Sequence, residues 1–198
     1  MQNEKPTRGR PKTLKKDAVT DVAMNAYWED GPTQVSLNDI CGRAGVSKPS
    51  LYREFGNDDG LAHAALQKYA ETVMSKMLSI VAGDAAFAEK IRQIAYLSAT
   101  DSLHDQGCLF VKMRAVKAQM GPKTQAMIEQ IEEMASTAFS ELLDKARASG
   151  EWSSPIPVEL ATTYLFAQIR LALDERARGN DPGEVLDLAL SVLLHPEA

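Results

Sequence analysis

Residues 36–55 read SLNDICGRAGVSKPSLYREF and carry the strongest structural pattern in the chain. Ser36 is a favoured helix N-cap residue, and the apolar residues after it share one face of a short helix. Gly45 stands where a tight turn between two helices needs a left-handed backbone, which glycine adopts at little cost. Ser47 then caps a second helix, and Pro49 lies in its first turn, where the missing N–H breaks no hydrogen bond. The stretch therefore predicts a helix-turn-helix, a motif whose second helix enters the major groove of DNA.

The second helix of this motif has one apolar and one polar face. Leu51 and Phe55 point back into the domain core. On the other face, lysine and arginine can donate to guanine or phosphate, serine suits either, proline can meet a thymine methyl, and tyrosine can stack on the backbone. A helical hairpin that never meets DNA is the alternative interpretation. The residues predicted to bind DNA from this helix are Ser47, Lys48, Pro49, Ser50, Tyr52 and Arg53.

The segment before the first helix gives a second DNA signal. Residues 7–12 read TRGRPK and contain the Arg-Gly-Arg-Pro core of an AT-hook. Glycine lets an extended backbone lie in a minor groove, and arginines on either side of it follow the negative potential of a narrow A·T tract. The sequence therefore predicts that Arg8 and Arg10 bind the minor groove. Non-specific attraction to phosphate is the alternative, and both arginines favour DNA binding in either case.

The distribution of charge supports DNA binding although the net charge is −5. Residues 1–16 carry a net charge of +5, whereas the chain from Gly56 onward carries −7. Binding of a polyanion depends on where the positive charge lies rather than on the sum. A basic N-terminal segment followed by an acidic remainder of the chain is typical of a protein that binds DNA in one orientation.

Nearly every segment of the chain predicts helix, and none alternates long enough to predict a sheet, so the expected fold class is all-α. We expect a basic arm over residues 1–13, a three-helix DNA-binding domain over 14–56 and a helical ligand-binding and dimerisation domain over 57–198. The punctuation by glycine and proline predicts about nine helices, near residues 14–30, 36–43, 47–54, 57–82, 86–103, 107–119, 122–149, 157–178 and 182–194.

The last two predicted helices carry apolar residues over more than one stripe, whereas a surface helix needs only one. Each must therefore bury two faces, and a second copy of the chain is the economical partner. A thoroughly buried core within one chain is the alternative. The predicted homodimer interface contains Tyr164, Ile169, Leu186, Leu190 and Leu193.

Methionine and aromatic residues in the C-terminal part suggest a ligand pocket. Methionine side chains fill irregular cores, and they also line adaptable pockets. Ordinary core packing is the alternative interpretation. The candidate pocket residues are Tyr96, Phe110, Met113, Met127, Ile131, Met134, Tyr164 and Phe166.

Cys108 lies at a predicted loop-to-helix junction, where a lowered thiol pKa can make a cysteine redox-sensitive. The alternative interpretation is an inert, half-buried thiol. Asp101, His104, Asp105 and Cys108 have helix-like spacing, but a polar helix end has the same composition, so no metal site is expected. The two cysteines, Cys41 and Cys108, predict a reducing cytoplasm rather than a disulfide framework. No apolar run is long enough for a membrane span. No nucleophile–base set or phosphate-binding glycine loop is present, so neither catalysis nor a cofactor is expected.

The segment from Ser36 to Leu61, ending LYREFGNDDGL, resembles the TetR family of bacterial regulators. The resemblance implies an all-α homodimer that binds a palindromic operator, usually as a repressor that a small molecule releases. It also implies that positions matching Lys48, Pro49, Ser50 and Tyr52 touch bases or phosphates, and that the position of Ser36 touches phosphate.

Two acidic residues depart from the pattern of that family. Asp58 stands where the family usually has a lysine, and Glu54 stands where it often has a neutral residue. An aspartate suits a helix N-terminus but repels phosphate. We therefore expect one phosphate anchor of the family to be absent here.

These observations predict a cytoplasmic transcriptional regulator, a repressor whose partners are double-stranded DNA, a second copy of itself and an unidentified small-molecule effector, with no membrane association. The alternative is a DNA-bound interaction protein of the same fold, which recruits or blocks a protein partner without a ligand. The two hypotheses differ in whether the C-terminal domain contains a cavity.

Overall fold

The computed structural model describes residues 15–100 and 106–194, and all regular elements within them are helical. A π-helical segment (Ala70–Met74) joins α4 to α5, and a 3₁₀ turn (Lys117–Gln119) precedes α8. The helices are α1 (Lys16–Glu29), α2 (Leu37–Ala44), α3 (Lys48–Phe55), α4 (Asp58–Tyr69), α5 (Ser75–Ala82), α6 (Phe87–Thr100), α7 (Leu109–Ala115), α8 (Pro122–Ser149), α9 (Val158–Ala177) and α10 (Gly183–Leu194).

The all-α prediction is confirmed, and one predicted helix differs in an informative way. The helix expected over residues 57–82 is found as α4, the π segment and α5. A π segment widens the turn and is frequent at functional sites. Here it places Val73 and Met74 side by side as buried residues.

The helix-turn-helix forms through the local signals expected of it. The Ser36 side chain accepts from the Asp39 N–H, and the Asp39 carboxylate accepts from the Ser36 N–H, which completes a capping box at the start of α2. Gly45 ends α2 with φ of 65°, the left-handed conformation that the turn requires. Ile40 and Leu51 are fully buried and hold α2 and α3 together on α1.

The core of this motif continues into the C-terminal body. Leu61, Leu66 and Tyr69 on α4 are fully buried in the same cluster as the residues of α1 to α3. The cluster also takes in Met113 of α7 and Ile131 of α8. The boundary expected near residue 56 is therefore crossed by continuous apolar packing, with α4 as the shared element.

A second core lies at the far end of the body, between α6, α8, α9 and α10. Phe139, Leu143 and Leu193 are fully buried there. The Trp152 indole N–H donates to the Leu193 carbonyl oxygen at 2.8 Å, which fixes the C-terminal end of α10 against the end of α8.

Asp59 on α4 caps the N-terminus of α8, which has no side-chain cap of its own. Its carboxylate accepts from the backbone N–H groups of Lys123 at 2.9 Å and Thr124 at 3.0 Å, and from the Thr124 hydroxyl at 2.7 Å. A Cβ at Gly121 would lie 2.3 Å from Asp59 Cγ, so only glycine permits this approach. Partial burial raises the pKa of the Asp59 carboxyl, but the hydrogen bonds from Thr124 and Lys123 outweigh it and hold the pKa below its usual value.

We expect Asp59→Asn to destabilise the protein by about 0.5–2 kcal/mol at neutral pH, the usual cost of losing a cap. Because the folded-state pKa is depressed, this stability is present above the unfolded pKa of about 3.9 and is lost as pH falls through the folded pKa. The difference in Tm between wild type and variant should therefore narrow below about pH 4.

Thermal denaturation followed by circular dichroism across pH measures this difference. The matched control is Asp58→Asn, because Asp58 forms no hydrogen bond or ion pair within the described residues. A difference in Tm that does not change with pH would contradict the assigned role of the Asp59 charge.

Candidate DNA interface and ligand cavity

Helix α3 presents the polar face that the sequence predicts. Leu51 and Phe55 are buried against the domain core, whereas Lys48, Tyr52 and Arg53 are exposed. Exposed Pro49 and half-buried Ser50 complete the first turn of this face. The side chains predicted to meet DNA thus lie away from the buried Leu51 and Phe55, on the more exposed side of the helix.

Contacts within α3 organise its N-terminal tip. The Ser47 hydroxyl oxygen accepts from the Ser50 backbone N–H at 3.4 Å and donates to the Ser50 hydroxyl at 3.0 Å. The Lys48 ammonium lies 5.6 Å from the centroid of the Tyr52 ring, within the range of a cation–π contact. The lysine and the tyrosine therefore form one amphipathic unit on the exposed face.

Ser36 lies at the N-terminus of α2 in a more acidic setting than a phosphate contact favours. Its hydroxyl donates to Asp39 Oδ2 at 2.6 Å. Hydrogen bonds from the Ser36 side chain and backbone hold the pKa of Asp39 below its usual value, so the group is a carboxylate at neutral pH. A phosphate at this position must compete with that carboxylate for the Ser36 hydroxyl.

The two acidic departures from the family pattern have different surroundings. The Glu54 carboxylate pairs with the Lys16 ammonium at 3.7 Å, which offsets a positive charge at the start of α1. Asp58 is exposed at the N-terminus of α4. The pKa of Tyr27 is raised to about 12, mainly by burial of the tyrosine and secondarily by the Asp58 charge. Arg8 and Arg10 lie outside the described residues, so the minor-groove arm stays a prediction.

A cavity of about 490 Å³ lies in the C-terminal body, between the α4–α5 segment, α6, α7, α8 and α9. Its wall is mainly aliphatic and aromatic, with a few hydroxyls and three charged side chains. The lining residues are Tyr69, Val73, Met74, Met77, Leu97, Ser98, Cys108, Phe110, Val111, Arg114, Glu132, Ala135, Ser136, Thr163, Phe166, Ala167, Ile169, Arg170 and Leu173.

The structure brings only part of the predicted pocket set to this cavity. Phe110 and Phe166 line it. Met113 and Ile131 are buried instead in the core shared with the helix-turn-helix, and Met127 packs against that core.

Three further members of the set do not line the cavity either. Met134 is exposed, Tyr164 is half-buried on another face of α9, and Tyr96 is 70% exposed. Helical spacing had grouped residues by face, but it could not say which neighbouring helix covers each face.

Cys108 has its thiol on the cavity wall, in an environment that opposes ionisation. The Tyr69 hydroxyl donates to Cys108 Sγ at 3.1 Å. Burial is the dominant effect and raises the pKa of the Cys108 thiol despite the hydrogen bonds to it. Because the thiolate is the reactive form, this arrangement favours the inert alternative over the redox role.

A short path of contacts connects the cavity to the helix-turn-helix. The Trp28 indole at the end of α1 lies edge-on to the Tyr69 ring, with centroids 4.8 Å apart. The Trp28 N–H donates to the Gly107 carbonyl oxygen at 2.9 Å, and the Trp28 carbonyl accepts from the Lys112 ammonium at 2.6 Å. Partial burial lowers the pKa of Lys112. Tyr69 and Cys108 thus touch both the cavity and the elements that hold Trp28.

The residues predicted for a dimer interface take several different positions in the subunit. Leu186 and Leu193 are buried in the subunit's own core, Leu190 packs against it, Ile169 lines the cavity and Tyr164 is half-buried. The apolar side chains that face outward are instead Leu160, Leu171, Leu188 and Val192. Two apolar faces are present on these helices as expected; Leu186 and Leu193 belong to the inner face, and the rest of the predicted interface stays a prediction.

The sequence also left several cavity residues unnoticed. Tyr69, Val73 and Met74 fall within the helix expected over residues 57–82, and Arg170 falls within the helix expected over 157–178; none of them was predicted to line a pocket. The position of Arg170 between apolar Ile169 and Leu171 was the one available signal for it.

Within residues 15–100 and 106–194, no cluster of three or more histidine, cysteine or acidic side chains is arranged for a metal ion. Asp101, His104 and Asp105 fall outside these ranges. None of the described helices combines the length and the apolarity needed to cross a membrane.

The helix-turn-helix region matches a known protein family. Residues 19–65 match the family model described as bacterial regulatory proteins, tetR family. Over 72 residues the chain is 40% identical to the HTH-type transcriptional repressor ComR of Escherichia coli K12, which covers 36% of this chain and 34% of that protein. The match thus spans about a third of the length of that relative. A second relative, the uncharacterized HTH-type transcriptional regulator YezE of Bacillus subtilis 168, is 24% identical over 93% of this chain and 99% of its own.

Solved structures share the fold over nearly the whole chain. The TetR family transcriptional regulator CifR, a cysteine mutant in complex with 26-bp operator DNA, matches with a TM-score of 0.72 at 21% identity, over 93% of this chain and 98% of its own. FadR of Bacillus subtilis, in complex with stearoyl-CoA, matches with a TM-score of 0.71 at 18% identity, over 93% of this chain and 100% of its own. The helix-turn-helix region of this chain thus matches the tetR family model, and the solved structures share its fold over nearly the whole chain.

Proposed function

We propose that this chain is a homodimeric repressor that binds a palindromic operator and leaves it when a small molecule occupies the cavity. The observation that carries the proposal is the contact path from the cavity wall to Trp28. A ligand that displaces Tyr69 or Cys108 must also disturb the packing of α1 against α4. A cytoplasmic location, where operator DNA is found, is part of the proposal.

On the DNA side, α3 enters the major groove with Lys48, Pro49, Ser50, Tyr52 and Arg53, and the basic arm follows the adjacent minor groove. Support comes from the exposed polar face of α3 and from the operator complex of CifR, which shares the fold. Asp58 and Asp39 make the phosphate contacts at the edge of the motif weaker, so most of the affinity rests on α3 and the arm.

We expect Tyr52→Ala to weaken operator binding about tenfold or more, since one good contact at this interface contributes about 1–3 kcal/mol. The operator is first obtained by selecting genomic fragments with the purified protein. Fluorescence anisotropy at one fixed salt concentration then gives the Kd.

The matched control is Tyr96→Ala, which removes a more exposed tyrosine from α6, far from α3 in the sequence. This variant should bind the operator as wild type does. Equal Kd values for wild type and Tyr52→Ala would overturn the assignment of α3 as the recognition helix.

The proposed dimer interface is the outward apolar surface of α9 and α10, formed by Leu160, Leu171, Leu188 and Val192. All four side chains are exposed in the subunit, and Leu188 is 66% exposed. Two long helices with a second apolar face can form a four-helix interface across a twofold axis, which would also present two α3 helices to a palindrome.

We expect Leu188→Glu to convert the dimer to a monomer, because a carboxylate buried in an apolar interface lacks a partner. Light scattering after size exclusion measures the molar mass. Met134→Glu is the control, since Met134 is also exposed but lies on α8, outside this surface. A dimer of unchanged stability in Leu188→Glu would contradict the proposed interface.

The cavity supports ligand release over the alternative of a partner-recruiting protein without a ligand. Its volume lies in the range of small-molecule sites, and its wall is mostly apolar with few polar groups. The stearoyl-CoA complex of FadR, which shares the fold, also favours a ligand. Under the alternative, no compound in a screen would lower operator affinity.

We expect Trp28→Phe to weaken the coupling between ligand and DNA, because it keeps an aromatic ring against Tyr69 but loses the N–H bond to Gly107. The measured quantity is the ratio of operator Kd with and without a compound that releases wild type, found by screening. This ratio should fall toward one in the variant while ligand binding persists.

Trp152→Phe is the matched control, because it also removes a buried indole N–H that donates to a backbone carbonyl, at 2.8 Å. Both variants should lose similar stability, so only a difference in coupling identifies the path. An unchanged Kd ratio in Trp28→Phe would show that the signal travels elsewhere.

A further inference from the structure

We propose that the cavity takes an amphipathic organic anion, with its apolar body inside and its carboxylate head on Arg170. This inference rests on the proposed function in one respect, since it treats the cavity as the effector site. It adds the chemical class of the effector and the residue that selects it.

The interior of the cavity calls for an apolar ligand body. Aliphatic and aromatic side chains from the π segment and from several helices face it, including Val73, Met77, Leu97, Phe110 and Phe166. Burying such surface contributes about 25 cal/mol per Å². A wholly polar ligand would leave this wall without that gain.

Three of the neutral polar side chains of the wall have partners within the protein, whereas the exposed Ser136 hydroxyl is the one without a hydrogen bond among the described residues. The Ser98 hydroxyl donates to the Ile94 carbonyl at 2.9 Å, and the Thr163 hydroxyl donates to the Glu159 carbonyl at 2.9 Å. The Tyr69 hydroxyl donates to Cys108 Sγ. These three groups therefore leave few hydrogen-bonding positions for a ligand rich in hydroxyls or amides.

The charged groups of the wall leave one positive charge without a partner. Arg114 pairs with Glu132, so these two charges offset each other. Arg170 forms no hydrogen bond or ion pair within the residues that the structure describes, and Asp174, one turn along α9, does not pair with it. Its guanidinium is exposed, so it stands at the mouth of the cavity rather than in its depth.

The position of Arg170 on α9 lets one ligand contact both the apolar wall and the unpaired positive charge. Arg170 follows Phe166 by one helical turn on the face that lines the cavity, so a head group bound to the arginine has its apolar body directed toward the phenylalanine. A planar guanidinium binds a carboxylate through two parallel hydrogen bonds, which a neutral or cationic head cannot accept in the same way.

The first experiment measures binding of four probes of equal chain length to the full-length protein by calorimetry, below their micellar concentrations. The probes are a straight-chain fatty acid, the corresponding alcohol, the corresponding amine and the alkyl sulfate. The acid should bind most tightly, the alcohol about 10- to 100-fold more weakly, and the amine least, because a charge-assisted hydrogen bond is lost and then a like charge is added. The alkyl sulfate distinguishes a carboxylate site from one that accepts any oxyanion.

The second experiment assigns the selectivity to Arg170. Arg170→Gln should weaken binding of the acid about 10- to 100-fold and leave binding of the alcohol unchanged. Arg92→Gln is the matched control, because Arg92 is an exposed arginine on α6 that does not line this cavity. Operator Kd without ligand should be the same for both variants and wild type, which shows that the variants are folded.

The outcomes separate this inference from the proposed function. If the acid binds through Arg170 but does not lower operator affinity, the ligand class stands and the release mechanism is overturned. If the alcohol or amine binds as tightly as the acid, or Arg170→Gln changes nothing, the ligand class is overturned. Release of the operator by a neutral or cationic compound that occupies the cavity also overturns the ligand class, while the release mechanism then stands.

Discussion

Helix α4 is buried on two sides at once, and this constraint organises the rest of the molecule. Leu61, Ala65, Leu66 and Tyr69 are all fully buried in a core shared by α1, α7 and α8. Because closely packed interiors transmit displacement rather than absorb it, α4 cannot move independently of α1, α7 and α8. The N-terminus of α4 caps α8 through Asp59, and its C-terminal end enters the cavity through Tyr69.

The π segment lies at the point where α4 leaves this core. By placing Val73 and Met74 together on the inner side, it gives the cavity two adjacent apolar side chains from one element. The segment thus combines a widened helical turn with a position between the cavity and the helix-turn-helix.

Local sequence signals accounted for most of the fold. The serine caps, Gly45 and Pro49 are short-range determinants whose geometry depends on neighbours within a few residues, so the helix-turn-helix followed from them. The long α8 helix, between Pro122 and Gly150, followed equally from its flanking proline and glycine. Along the C-terminal helices, apolar spacing correctly identified two faces to be covered, but it misassigned Leu186 and Leu193 to the outer one.

The sequence alone determined the helix-turn-helix, the polar face of α3 and the all-α body, because capping, turn geometry and helical periodicity are properties of neighbouring residues. Tertiary structure alone decided which methionines are core and which residues wall the cavity, since these depend on helices far apart in the chain. The same holds for Asp59, which lies more than sixty residues from the amides it caps, and for the contact of Trp28 with Tyr69. The residue pattern of one helix does not determine where another helix packs, so these features could be identified only in the tertiary structure.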